Sequence, residues 1–141
     1  MSRVINTNSS GKRRNQHMRT VAELLRHLSQ KQEIDQEAKN MMALLVLVLR
    51  EIADGIEDST LAWEKRNYWI KIEEFRNNWR WAGETAAQLE TIIINEEWHN
   101  LPTMLVKLLP YVNDITVVKF TRSKAIWQGC YDKLLDERDQ K

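Results

Sequence analysis

The sequence predicts an all-α fold, a bundle of four to five helices built on a long antiparallel helical hairpin. Three observations carry that expectation. Only four Gly and two Pro punctuate 141 residues, and both prolines fall late, at Pro102 and Pro110. Long stretches without breakers favour helices over a fold of many turns. Apolar residues recur at intervals of three and four along most of the chain, which is the helical period. Finally, Met41-Met42-Ala43-Leu44-Leu45-Val46-Leu47-Val48-Leu49 is apolar without a gap. On a helix such a run makes every face of about two and a half turns apolar.

Taken in order, residues 1–15 read as a flexible basic arm. Asn6-Thr7-Asn8-Ser9-Ser10-Gly11 is a cluster of turn formers with nothing to bury. A single helical domain then fills 16–141. Its first helix covers about 16–30, with Met18, Val21, Leu24, Leu25 and Leu28 at helical spacing. The second opens at Glu33 or Asp35, where an acid suits the positive helix end, and continues to about residue 65. Gly55 inside it costs about 1 kcal/mol relative to alanine, too little to break the helix. Lys65 and Arg66 suit a C-terminus, and Asn67 can take the left-handed conformation that ends one. The third helix runs from about 69 to 97 on a stripe that includes Trp69, Ile72, Phe75, Trp79, Ala82, Ala86, Leu89 and Ile93. Two helices of nearly equal length joined by a short turn make an antiparallel hairpin.

Beyond the hairpin, Asn100 can cap a short helix at about 101–109. Pro102 is tolerated in its first turn, and Pro110 stops it. A last helix is expected over 123–137. Residues 114–122 stay open between two conformations. Ile115, Val117 and Val118 are β-branched and suit extended chain, whereas Asp114 would cap a helix.

The apolar run is too short to span a bilayer, which takes roughly 20 residues, and no apolar signal core opens the chain. A cytoplasmic protein with no membrane partner is the expectation. One helix of a small bundle needs only one apolar stripe. Leu44, Leu47 and Val48 exceed it, so either the chain's other segments wrap this helix or the excess meets a second copy or a larger complex. Trp81 is a further candidate contact. It lies about 200° around the helix from Trp79, among Glu74, Asn77, Asn78, Glu84 and Gln88. Trp79, Trp98 and Trp127 read instead as packing residues.

The formal net charge is +1, but it is unevenly spread. Residues 1–31 hold Arg3, Lys12, Arg13, Arg14, Arg19, Arg26 and Lys31 against Glu23 alone. Lys12, Arg13, Arg14, Arg19 and Arg26 are therefore candidate contacts to a polyanion such as nucleic acid, in a salt-sensitive and sequence-indifferent manner. They suit equally an acidic protein surface, of the same chain or of a neighbour.

Motifs for chemistry fall short. Ser9-Ser10-Gly11-Lys12 lacks the earlier Gly, the hydroxyl after the Lys and the preceding strand of a phosphate-binding loop. Glu96 and His99 have the spacing of a di-iron half-site, but the site needs a second such motif and further glutamates. Cys130 has no histidine beside it and reads as a buried structural thiol. No catalytic, cofactor or metal residue is assigned. The sequence thus predicts a non-enzymatic helical interaction or assembly subunit, self-associating or part of a larger complex. A nucleic-acid-associated protein using the basic arm is the alternative.

Overall fold

The computed structural model describes residues 9–140. They form five α-helices and no strand: α1 (Ser9–Ser29), α2 (Gln36–Lys65), α3 (Trp69–Ile94), α4 (Leu101–Leu108) and α5 (Cys130–Asp139). Short 3-10 turns occupy Trp98–Asn100, Leu109–Val112 and Lys124–Ile126. Helix α2 is the axis of the bundle and packs against α1, α3 and α5.

The hairpin forms where local signals place it. Asp35 caps α2, its carboxylate accepting the Ala38 N–H at 2.8 Å. At the far end Asn67 adopts φ 60°. The Asn67 N–H then bonds the Glu64 carbonyl, and the Tyr68 N–H bonds that of Trp63. This is the paired closure that satisfies the last carbonyls of a helix. A second such closure ends α3 at Ile94 rather than near 97, with Glu96 in the left-handed conformation at φ 53°. Gly55 lies inside α2 as expected, and a Cβ added there would meet nothing within 4 Å. Gly55→Ala is therefore expected to raise the unfolding free energy by about 0.5–1 kcal/mol, measurable as a higher thermal midpoint. Gly83 faces α2, where a Cβ on it would make an ordinary contact with the Ala53 Cβ at 3.5 Å.

The first helix begins earlier than the sequence predicts. Residues 9–15, expected in the flexible arm, are helical because they find partners on the hairpin. The Ser10 and Ser59 hydroxyls lie 2.8 Å apart. Arg14 donates to Ser59 at 3.0 Å and sits over the Phe75 and Trp79 rings at 5.0 and 5.2 Å. Tertiary contact outweighs the poor helix propensity of Ser and Gly here. The rest of the expected arm, residues 1–8, lies outside the described residues.

The C-terminal third also departs from expectation. Gly129 takes φ 75° and breaks the expected 123–137 helix, leaving a 3-10 turn before it and α5 after it. Residues 114–122 are not helical. They cross the side of α1 as a strap, held by side chains of that helix. Pro110 does not stop α4, which ends at Leu108, but sits within the following 3-10 turn.

Packing within the bundle settles the apolar run. Met41, Met42, Ala43, Leu45, Val46 and Leu49 are at most 2% exposed, and Val48 is 7% exposed. Leu44 and Leu47 are half-buried and packed against the same core. The premise of a whole apolar face left over for a partner does not hold. The Met18–Leu28 face of α1, together with α3, α4 and α5, encloses the run within one chain.

Candidate functional site

The hairpin outlasts its neighbours. Helix α1 reaches α2 only as far as Ser59, through Ser10 and Arg14. Helix α5 meets α2 at Arg50, whose guanidinium pairs with Glu137 at 2.9 Å and with Glu90 at 2.7 Å. Among the described residues, α2 and α3 continue past these points as two helices alone. Ile56, Thr60 and Ile72 are buried between them, and the Trp63 and Phe75 rings meet edge to face at 5.2 Å. Arg76 crosses the pair, reaching Glu57 at 2.9 Å and Glu64 at 3.2 Å.

The end of this hairpin carries large apolar side chains in the open. Ile70 is 79% exposed, Trp69 and Leu61 each 55%, and Tyr68 47%. Asn67, Tyr68, Trp69, Ile70, Lys71 and Glu74 line a shallow, open concavity of about 840 Å³. Trp69 was expected to start the inward stripe of α3. Among the described residues nothing packs beyond the turn, and Ile72 is the first residue the stripe buries. Periodicity names the face of a helix but not where its covering neighbours end. The usable signal lay in the turn itself, where Tyr68-Trp69-Ile70 follows a helix stop directly.

The interface residues expected from the sequence do not converge on this surface. Leu44, Leu47 and Val48 belong to the core around α2. Trp81 is half-buried, stacked on Tyr111 with ring centroids 4.0 Å apart and beside Trp79 at 5.9 Å. Its cover comes from the turn after α4.

The basic residues are divided. Arg19 is fully engaged inside the chain. Its Nε donates to Glu23 at 2.8 Å, and its two terminal nitrogens donate to the carbonyls of Thr116 and Lys119 at 3.0 and 2.9 Å. Arg14 is used against Ser59 and the aromatic pair, as above. Arg13 lies 3.8 Å from Asp58 across two exposed side chains. Lys12 and Arg26 are exposed and make no ion pair among the described residues. Three of the five expected contacts thus dock on their own chain. Between α1 and α2, Arg13, Arg14, His17, Glu51, Asp54 and Asp58 border a cleft of only about 80 Å³.

Glu23 was passed over in the sequence as the lone acid of a basic segment. It is 1% exposed and joins α1 to the strap. Its carboxylate accepts from the Thr121 N–H at 2.7 Å, the Arg122 N–H at 3.1 Å, the Thr121 hydroxyl and Arg19. Burial pushes this carboxyl up, but the hydrogen bonds outweigh it and hold the pKa at about 2. One turn on, the His27 ring stacks on Phe120 at 3.6 Å and meets Trp127 edge-on at 5.1 Å. Its Nε2 is buried without a hydrogen-bond partner. Burial lowers the His27 pKa, against the pull of Glu23 and Glu37, while Lys124 and Lys31 push the same way as burial.

The remaining chemical motifs come apart in three dimensions. Glu96 lies past the end of α3 and His99 in a separate 3-10 turn, so the two share no helix face. Cys130 is buried, and burial pushes its thiol pKa up, which keeps it protonated. Among the described residues no three His, Cys, Asp or Glu gather as a metal site, and no helix is long and apolar enough to cross a membrane. The class defined by fold and surface is a helical bundle with a projecting aromatic hairpin end. Comparison with protein-family models, curated proteins and solved structures finds no match to this chain.

Proposed function

We propose that the protein is a helical interaction subunit whose contact surface is the end of the α2–α3 hairpin. The observation that carries this reading is the exposure of Trp69 and Ile70, at 55% and 79%, beside Leu61 and Tyr68. Scattered single apolar residues are ordinary on a protein surface, but a contiguous apolar patch marks a contact site. Trp and Tyr are the side chains that most often dominate such contacts. The hairpin end supplies both on a rigid support, because buried Ile72 and the Trp63–Phe75 pair fix the two helices behind it. The reading moves the contact from Leu44, Leu47, Val48 and Trp81 to residues 61–74. A polyanion role for the N-terminal cations has weaker support, since Arg14 and Arg19 already use their guanidinium groups within the chain.

A photoreactive amino acid placed at Trp69 tests this in the cells that make the protein. A discrete protein adduct is expected at that position and none from the same probe at exposed Gln88 on α3. Failure to form an adduct at Trp69, or equal adducts at both positions, overturns the reading.

A further inference from the structure

We propose that residues 123–129 form an acid-opened flap, released when His27 takes up a proton beneath it while the five helices stay folded. The flap lies at the opposite end of α2 from the hairpin turn, where Lys124 comes within 4.0 Å of Glu37. It is fastened at its two ends and by one side chain between them. Before it, the Arg122 N–H donates to Glu23 at 3.1 Å. After it, Gly129 takes φ 75°, a conformation glycine adopts without strain. Between these points Trp127 is 2% exposed, and the rest of the segment is open to solvent. Among the described residues its hydrogen bonds stay within the turn or reach Cys130 and Lys133 just after it. None of them crosses to α1 or α2. A segment with so few ties opens at far lower cost than the bundle unfolds.

The group beneath Trp127 responds to acid. The His27 ring meets Trp127 edge-on at 5.1 Å and stacks on Phe120 at 3.6 Å, and its Nε2 is buried with no hydrogen-bond partner. A neutral imidazole tolerates this, because one of its nitrogens carries no hydrogen. An imidazolium carries an N–H on both, and each needs an acceptor. The face of Phe120 favours a nearby cation. But an N–H lies in the plane of its own ring and cannot point at a ring stacked upon it. Water must therefore reach Nε2, and it does so when one of the two covering rings moves. Phe120 sits between the Lys119 carbonyl, bonded to Arg19 at 2.9 Å, and the Thr121 N–H, bonded to Glu23 at 2.7 Å. Trp127 has no such flanking ties to α1, so Trp127 is the ring that leaves.

The surrounding charges set the range. Burial is the main force that keeps the ring neutral; Glu23 on α1 and Glu37 on α2 oppose it, and Lys124 on the flap and Lys31 ahead of α2 reinforce it. Lys31 is itself held by Asp35 and Glu37 at 2.9 and 2.7 Å. The closed form thus binds the proton more weakly than an ordinary histidine, and the open form takes it first as pH falls below 6.5. Glu23, with its pKa at about 2, stays ionised over the same range. The anchor at Arg122 therefore outlasts the opening, and the strap before it remains in place.

Cys130 reports the opening. Its thiol is buried beside the flap and donates to the Ile126 carbonyl at 3.5 Å, and the chain has no other cysteine. Dithiodipyridine labels thiols in acid as well as at neutral pH, and the same chain unfolded in urea supplies the reference rate at each pH. Relative to that reference, labelling of the folded chain is expected to rise by about tenfold from roughly pH 7 to pH 5. Far-UV circular dichroism should stay constant, and low urea should not change the rate, as local opening requires. Trp127→Ala should label fast at both pH values and His27→Phe slowly at both. Lys124→Gln, a change at an exposed side chain, should diminish the rise, because the closed form then accepts the proton more readily. A relative rate that does not rise in acid overturns the flap, and so does a rise that His27→Phe retains or that Lys124→Gln leaves undiminished. A rise that comes with loss of helix, or that steepens with urea, belongs to global unfolding and overturns it as well.

Discussion

Glu23→Ala will lower the unfolding free energy by about 3–5 kcal/mol, the usual result of removing one partner from a buried charged cluster. The substitution leaves the Thr121 and Arg122 N–H groups without their acceptor and deprives Arg19 of its carboxylate. Each buried donor left unpaired costs about 1–3 kcal/mol. Urea unfolding at neutral pH reads the change directly. Thr121→Val removes one hydroxyl donor, keeps the backbone bonds, and should cost about 1 kcal/mol. If Glu23→Ala proves no worse than Thr121→Val, the carboxylate is not the fastening of the strap.

The same group sets the acid limb of stability. Its pKa falls from an ordinary 4.5 to about 2 on folding. A carboxyl with a lowered folded pKa adds stability that is complete above its unfolded value and disappears as pH falls through the folded one. The contribution is therefore full above 4.5 and gone near 2. A shift of that size corresponds to about 3 kcal/mol. His27 acts in the same direction at milder pH. Its folded pKa lies below the ordinary 6.5, so the unfolded chain takes up the proton first and stability begins to fall below that value. Unfolding midpoints followed across an acid series should thus decline in two stages, and Glu23→Ala should shrink the lower one, leaving the part that Asp35 and Glu37 carry through their own lowered pKa values.

Leu45→Ala will destabilise the chain by about 2–5 kcal/mol, whereas Leu44→Ala will cost well under half as much. The two residues are neighbours in one apolar run, but Leu45 is fully buried and Leu44 only partly. A truncated core leucine loses its transfer energy and leaves a cavity, while a half-exposed one lets solvent or neighbours fill the space. Neither change should alter the mass in solution, because neither side chain lies at the hairpin end. Equal costs, or a mass change with Leu44→Ala, would restore the run as a contact surface.

The hairpin was legible in the sequence because its signals are local. Asp35 opens α2, Asn67 closes it, and each acts within a few residues through its own backbone geometry. The strap was not legible. Its β-branched residues suited extended chain, its Asp114 suited a helix, and the choice is made by Glu23, 98 residues away from Thr121. The fate of the apolar run was equally distant. It turned on Leu89, Ile93, Leu108 and Leu134 closing over the run beside α1, contacts made across 40 to 90 residues of chain. The candidate contact surface was hidden for the opposite reason. Trp69 has the spacing of a core residue, and it stands bare because no described residue of α1 or α5 reaches it.

The attachment of Thr121 to Glu23 also bears on the order in which the chain takes shape. Helices α1, α2 and α3 are consecutive, so their mutual packing closes short loops and forms quickly. The carboxylate on α1, by contrast, waits for a segment 98 residues further along. Until that segment arrives, Glu23 has only Arg19, one turn away on the same helix, as its partner. The segment that fastens α1 is thus made 98 residues after the carboxylate that holds it.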